Sequence, residues 1–317
     1  MEDQTTGTAN IALRRLALAA LIANVTIVIT GGAVRLTGSG LGCPDWPTCT
    51  SDSVLPAPGG EVAVWHQAIE FGNRILAFVV LSVTAAAFVA VWRQRPRRDE
   101  VVRPAALLVV GVVTQGVLGG ITVLTALHPL IVAAHFLLSI AAITAAVVFH
   151  DRVRRPGSAA RLVIRRELRY AERVLLVVLA GVLALGTLVT ASGPHAGDAN
   201  TPRLGIDPET ISRFHADAVF LVLGLVIALW FGLRATDAPP APRRAATTLL
   251  GVVLVQGTIG YVQYFTGLPE IIVGAHLLGA CLAWITALHL WLSSTVRAPG
   301  PRDPEPAAAA AHEHTAA

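Results

Sequence analysis

Charge is scarce in this sequence: 14% of its 317 residues are Asp, Glu, Lys or Arg, against 54% hydrophobic, and the apolar residues stand in long blocks instead of alternating with polar ones. That pattern excludes a soluble globular protein and fits a chain embedded in a bilayer. Lysine is absent altogether, so the net charge of +4 rests on arginine alone. A basic balance in a soluble protein would point to nucleic acid; here the arginines sort by loop, and nucleic acid is excluded as a partner. Cysteine is almost absent, with three in the chain. The first apolar run also lacks a small-residue cleavage pattern followed by a soluble domain, and therefore reads as a retained anchor.

What is present is a series of apolar segments. A hydrocarbon core about 30 Å thick takes about 20 apolar residues of helix, and eight segments of that kind run from Leu16 to Val34, Ala68 to Trp92, Ala105 to Leu127, Leu130 to Phe149, Val174 to Thr190, Ile211 to Leu233, Ala245 to Phe265 and Ile271 to Trp291. The expected fold is an all-α integral membrane protein of eight transmembrane helices. Arg14 and Arg15 precede the first helix. Arg93, Arg95, Arg97, Arg98 and Arg103 follow the second, a run from Arg152 to Arg169 follows the fourth, and Arg243 and Arg244 follow the sixth. Cationic loops stay on the cytoplasmic side, so both termini are expected there, in a cell inner (plasma) membrane.

Cys43 and Cys49 share the first outside loop, Gly42-Cys-Pro-Asp-Trp-Pro-Thr-Cys49, where the compartment permits a disulfide. A redox-active pair and a staple for a Pro-rich loop both fit, the staple better. Cys281 lies inside the last helix and reads as packing.

The chain repeats itself. The third helix carries Gln115-Gly-Val-Leu-Gly119 followed by His135, and the seventh carries Gln256-Gly-Thr-Ile-Gly260 followed by His276, with the same Gln-to-His interval. Thr37-Gly-Ser-Gly40 ends the first helix as Thr190-Ala-Ser-Gly193 ends the fifth. Each unit has an even number of helices, so two tandem four-helix bundles are expected, related by a pseudo-twofold axis along the membrane normal. The expected division is 1–155, 156–296 and a disordered Ala/Pro-rich cytoplasmic tail over 297–317 that includes His312 and His314. Gly beside Gln in a helix also serves close packing alone.

The second, fourth, sixth and eighth helices all start at the outside surface. His135, His215 and His276 fall within about two turns of those starts, at about 1.5 Å per residue, so they share one depth in the outer leaflet. Ionisable residues inside a membrane mark function. Metal sites in helical bundles add carboxylates at Glu-x-x-His spacing, and neither His215 nor His276 has one three residues before it. Two imidazoles above and below a macrocycle suffice for heme, and His215 with His276 is assigned to a b-type heme.

The first half departs from the second. His215 stands 61 residues before His276, and the residue 62 before His135 is Asn73. Glu70 lies one turn from Asn73 on the same face, where the second half has Ser212. A doubly ligated heme suits electron transfer; one histidine beside a carboxylate suits chemistry on a bound substrate. Glu70 also fits as the ion-pair partner of Arg74, and Arg74 as the partner of a heme propionate. His66 is on the face of Asn73 but about 10 Å nearer the surface, too far to take the same ligand position unshifted. His128 and His195 lie in outside loops, and His150 and His289 toward the cytoplasmic end.

Thr37-Gly-Ser-Gly-Leu-Gly-Cys-Pro-Asp-Trp-Pro, Glu70-x-x-x-Arg74, Gln115-Gly-Val-Leu-Gly-Gly-Ile-Thr-Val with His135, Ser192-Gly-Pro-His-Ala-Gly-Asp198, His215, and Gln256-Gly with His276 occur in this order. Together they resemble the heme A synthase family of aerobic bacteria and mitochondria, across essentially the whole membrane domain. The resemblance implies oxidation of a ring methyl of heme O to a formyl group by successive hydroxylations, giving heme A for terminal oxidase assembly. It implies heme b on His215 and His276, substrate heme in the half that holds His135, an essential role for Glu70, and the Cys43–Cys49 pair. A heme O synthase, an electron acceptor, the lipid bilayer and a second copy of the chain are the candidate partners. Two features depart from the family pattern: Asn73 replaces the His of Glu-x-x-His-Arg, and the second outside loop lacks a cysteine pair. Either His135 acts alone on the substrate heme, or His66 or a loop histidine assists. A non-catalytic heme carrier or insertase and a di-heme b-type electron-transfer cytochrome are the rival readings.

Overall fold

The computed structural model describes residues 2–56, 62–94, 96–155, 157 and 159–298. Eight long helices carry the chain: α1 (Glu2–Leu36), α2 (Val64–Trp92), α3 (Asp99–Leu124), α4 (Pro129–Arg154), α5 (Arg166–Ser192), α6 (Pro208–Ala235), α7 (Pro240–Phe265) and α8 (Glu270–Ser293). Every one of them, α1 from Ile11 onward, is long and apolar enough to cross a bilayer. Several extend past the apolar segments, α5 by two turns from Arg166, because polar end turns are as helical as the rest but carry no hydropathy. Within lipid each backbone polar group needs an internal partner, which a continuous helix provides.

Helix starts follow local chemistry. Proline occupies the first turn of α4, α6 and α7, where its missing N–H costs nothing. The Asp207 carboxylate caps α6 by accepting from the backbone N–H of Thr210 at 2.8 Å and from its hydroxyl at 2.7 Å. Those two bonds hold Asp207 below the usual carboxylate range. The turns from α3 to α4 and from α7 to α8 are too short for anything but antiparallel neighbours, and they close through left-handed residues Ala126, Leu127, Gly267 and Leu268.

Within the first four helices, α1 packs on α2 and α4, and α2 on α3, which packs on α4; the last four repeat this set of pairings. The halves meet where α1 lies on α8 and α4 lies on both α5 and α8. Ile143, Ala146 and Val147 of α4 are buried against Cys281 and Leu288 of α8 in that seam, and the Trp284 indole N–H donates to Thr144 Oγ1 at 2.8 Å across it. Large apolar side chains that face outward, such as Phe78, Leu107, Val177 and Phe265, meet lipid in place of water.

A small sheet stands outside the all-α expectation. Strand β1 (Ala159–Leu162), in the link between the halves, pairs antiparallel with β2 (Thr295–Ala298), just after α8. Arg155 reinforces it, donating to the carbonyls of Leu292 and Thr295. Arg297 and Ala298 therefore belong to a strand, while His312 and His314 lie outside the described residues. Two connections now have a place in the fold: the α1–α2 loop carrying the disulfide defines one face of the bundle, called the disulfide face below, and the sheet lies on the other.

Candidate heme-binding site

His215 on α6 and His276 on α8 point at each other, with ring centres 6.4 Å apart. Two imidazoles that ligate one metal from opposite sides need centres roughly 6 Å apart, given roughly 2 Å for each metal–nitrogen bond and roughly 1 Å inside each ring. The pair therefore fits an axially bound heme iron. Nδ1 of both rings is buried with no hydrogen-bond partner among the described residues. Among those residues, no three of His, Cys, Asp and Glu gather as a metal-holding group; what the second half offers is one imidazole pair.

Each ring is seated on a glycine of the neighbouring helix. A Cβ on Gly186 of α5 would come within 3.2 Å of His215 Cε1, and a Cβ on Gly260 of α7 within 3.2 Å of His276 Cε1. Gly119 of α3 stands to His135 in the same way, again at 3.2 Å. The glutamines of the repeated motif have a second task. Gln256 Nε2 donates to the His276 carbonyl at 2.8 Å, and Gln115 Nε2 donates to the His135 carbonyl at 3.0 Å and to Ser139 Oγ at 2.5 Å. The interval shared by the two halves is thus a cross-helix bond: one helix pins the backbone of the histidine on the next. In the sequence the interval marks the repeat, and Gly beside Gln fits close packing as well; the seat at Gly186 belongs to no such motif.

In the first half Asn73 of α2 lies against α1, where its Oδ1 accepts from Thr30 Oγ1 at 2.7 Å and its Nδ2 is 3.7 Å from the Cβ position of Gly31. One turn away, Glu70 is buried with both oxygens engaged. Oε1 accepts from Arg74 at 2.7 Å, and Oε2 accepts from the backbone N–H of Cys43, also at 2.7 Å. Arg74 goes on to the carbonyls of Thr48 at 2.8 Å and Cys43 at 2.9 Å. Of the open readings of Glu70, the ion pair with Arg74 is present, and Arg74 is committed to the loop. Cys43 and Cys49 form a disulfide, and neither is exposed; Cys281 is buried and free.

The remaining histidines do other work. His66 Nδ1 shares a hydrogen bond of 2.9 Å with Ser39 Oγ, and the ring stacks on Trp65 at 3.5 Å. His195 Nε2 meets the Leu268 carbonyl at 2.9 Å, joining the α5–α6 loop to the α7–α8 turn. His128 precedes α4 at its cap position. His150 and His289 lie together with Asp151 and Arg154 at the opposite end of the bundle.

The family model described as COX15-CtaA, cytochrome oxidase assembly protein, matches residues 14–201. The chain belongs to the COX15-CtaA family. Within that family it is similar to proteins named heme A synthase. The one from Symbiobacterium thermophilum is 28% identical over 267 residues, which covers 78% of this chain and 84% of that relative. The one from Shewanella oneidensis is 23% identical over 322 residues, 87% of this chain and 96% of the relative. With the Geobacillus kaustophilus protein the identity is 30% over 109 residues, so the match spans about a third of that relative, 32% of its length. The COX15-CtaA segment takes in the disulfide loop, Glu70, Asn73, Arg74 and His135, and stops before His215 and His276.

Proposed function

We propose that this member of the COX15-CtaA family is a heme A synthase that oxidises a ring methyl of heme O to a formyl group by successive hydroxylations. The observation that carries the reading is the difference between the halves on one repeated scaffold. The second half has two imidazoles at heme-ligand spacing; the first has His135 with Asn73, not His, in the matching place and a buried carboxylate one turn from it. Relatives named heme A synthase that align over most of this chain support the same reading.

In this proposal His215 and His276 hold heme b, which when bound supplies one-electron transfer. Gly186 and Gly260 give the two rings room, and Gln256 fixes the backbone of His276. In the first half His135 ligates the substrate heme, and Asn73 leaves the opposite side uncrowded by a second imidazole. Glu70 holds negative charge close to that side and accepts a proton released as the methyl is oxidised. Arg74 and the Cys43 N–H fix the carboxylate's position for that task. Residues 1–155 serve as the substrate half and 156–296 as the heme b half. Both termini are cytoplasmic, since the arginine-rich loops lie opposite the disulfide face, and the heme sites lie toward the extracytoplasmic side of the plasma membrane. A heme O synthase supplies the substrate, and an electron acceptor completes the reaction.

Pyridine-hemochrome spectra and chromatography of heme extracted after co-expression with a heme O synthase test the proposal. Heme A is expected from the wild type, and heme O or a hydroxylated intermediate from Glu70→Ala. Heme B alone in both would remove the synthase reading and leave a heme carrier or a b-type cytochrome.

A further inference from the structure

One cation near the site lacks an anion. The guanidinium of Arg35, in the last turn of α1, makes no hydrogen bond or ion pair among the described residues. Over its stem lies the α5–α6 loop, and the arginine of that loop is Arg203. Arg203 belongs to the α5–α6 loop and is held by that loop's own carbonyls, donating to Thr201 at 3.0 Å and Pro194 at 2.8 Å. No carboxylate of the described residues pairs with either. Two guanidiniums brought together without a counter-charge repel each other and lose hydration. A fold that nevertheless builds the pair has a use for it.

The pair is built by specific contacts. Gly40 donates its N–H to the Gly197 carbonyl at 2.9 Å, which lays the second-half loop across the end of α1. Gly197 has φ +107°, and a Cβ there would come within 3.1 Å of Arg35 Cγ, so the Arg35 stem runs directly under that loop. Arg35 is also placed over the first-half site. It follows Gly31 by four residues and so shares its side of α1, about 6 Å nearer the disulfide face, and Gly31 is the residue that lies against Asn73. Because α1 packs on α2, α4 and α8, that side is turned toward protein and away from lipid. Arg74, the other arginine of this region, is taken up by Glu70 and the disulfide loop.

We propose that Arg35 and Arg203 form a carboxylate cradle, one arginine from each half, for the propionate groups of the porphyrin held in the first half. The proposal rests on the heme A synthase reading for the identity of the guest. Planar guanidiniums suit carboxylates through paired N–H donors. Because the second arginine arrives on the loop of the other half, the substrate half is complete only when the two halves are docked.

The test uses the full-length protein with its second-half heme bound, in detergent without added phospholipid. It is titrated with iron protoporphyrin and, separately, with the dimethyl ester of the same porphyrin, and the absorption change that His135→Ala abolishes is followed. The wild type is expected to prefer the diacid by about 10-fold to 100-fold, the size of one charge-assisted bond. Arg35→Gln is expected to lower diacid affinity toward that of the ester and leave ester binding unchanged, which also shows that the variant is folded. Arg203→Gln is expected to act in the same direction. Equal affinity of the wild type for diacid and ester overturns the cradle and leaves the synthase reading intact. Loss of co-purified anionic phospholipid from Arg35→Gln, with diacid affinity unchanged, assigns the pair to a lipid headgroup and also overturns it. A wild type that takes up no second porphyrin overturns the cradle together with the reading beneath it.

Discussion

The side-chain amide of Gln256 donates to the backbone carbonyl of His276 at 2.8 Å, and Gly279, one turn further along α8, leaves the space in which that amide lies. A Cβ on Gly279 would fall 1.8 Å from Gln256 Oε1. The histidine is thus positioned through its backbone by the neighbouring helix, with its ring left free for a ligand.

Removing that bond with Gln256→Leu is expected to cost about 0.5–1.5 kcal/mol and to loosen α7 against α8. Gly279→Ala should act alike by displacing the same amide. The check is the electron paramagnetic resonance of the second-half heme, which should broaden in both variants and stay sharp in Gln115→Leu. An unchanged spectrum in both would mean that the bond does not position His276.

The glycine seats give a second prediction. Gly260→Ala places a methyl 3.2 Å from His276 Cε1, so the ring must tilt out of line with His215. Heme retained through purification should fall several-fold, whereas Gly251→Ala, on the same helix with nothing near its Cβ position, should retain heme as the wild type does. Gly119→Ala should leave the second-half heme untouched and impair the first half alone.

Breaking the ion pair under the disulfide loop should be costly. Arg74→Met leaves the Glu70 carboxylate, 5% exposed, with the Cys43 N–H as its remaining partner, and stranded buried charges cost about 3–5 kcal/mol. Arg213→Gln removes the partner of Glu209 in a pair whose side chains are 74% and 57% exposed, for which about 0–1 kcal/mol is typical. Thermal midpoints in detergent should therefore drop markedly for Arg74→Met and barely for Arg213→Gln. Equal drops would show that the buried pair is no more important than the surface one.

Asn73→His restores the repeat. It gives up the bond from Thr30 Oγ1 and sets an imidazole where the second half has His215. Heme-loaded protein is expected to gain a second low-spin, bis-imidazole signal. A single unchanged signal would show that residues 73 and 215 are not equivalent positions.

The candidate residues themselves are legible in the sequence. His135 and His276 were marked by the interval from their glutamines, and Asn73 by breaking the pattern set by His215. The roles of Glu70 and Arg74 were not, because a carboxylate and a guanidinium one turn apart read the same whether they face a ligand, each other or a loop that returns from elsewhere in the chain. Here both are bonded to the Cys43–Cys49 loop. Arg35 was hidden for a related reason. One arginine at a helix end is ordinary, and its meaning comes from Arg203, which no sequence pattern links to it.

The sequence by itself determined that there are eight apolar helices and that the motifs of the first four recur in the last four, since each of these follows from the pattern along one chain and the thickness of a bilayer. Only the tertiary structure decided that two imidazoles lie 6.4 Å apart, that Glu70 latches a loop, that the chain after α8 pairs with the link between the halves, and that Arg35 lies under the loop that carries Arg203. Those facts depend on which side chains of different helices and loops meet, and such meetings are set by packing between elements, where spacing along the chain gives no measure of distance.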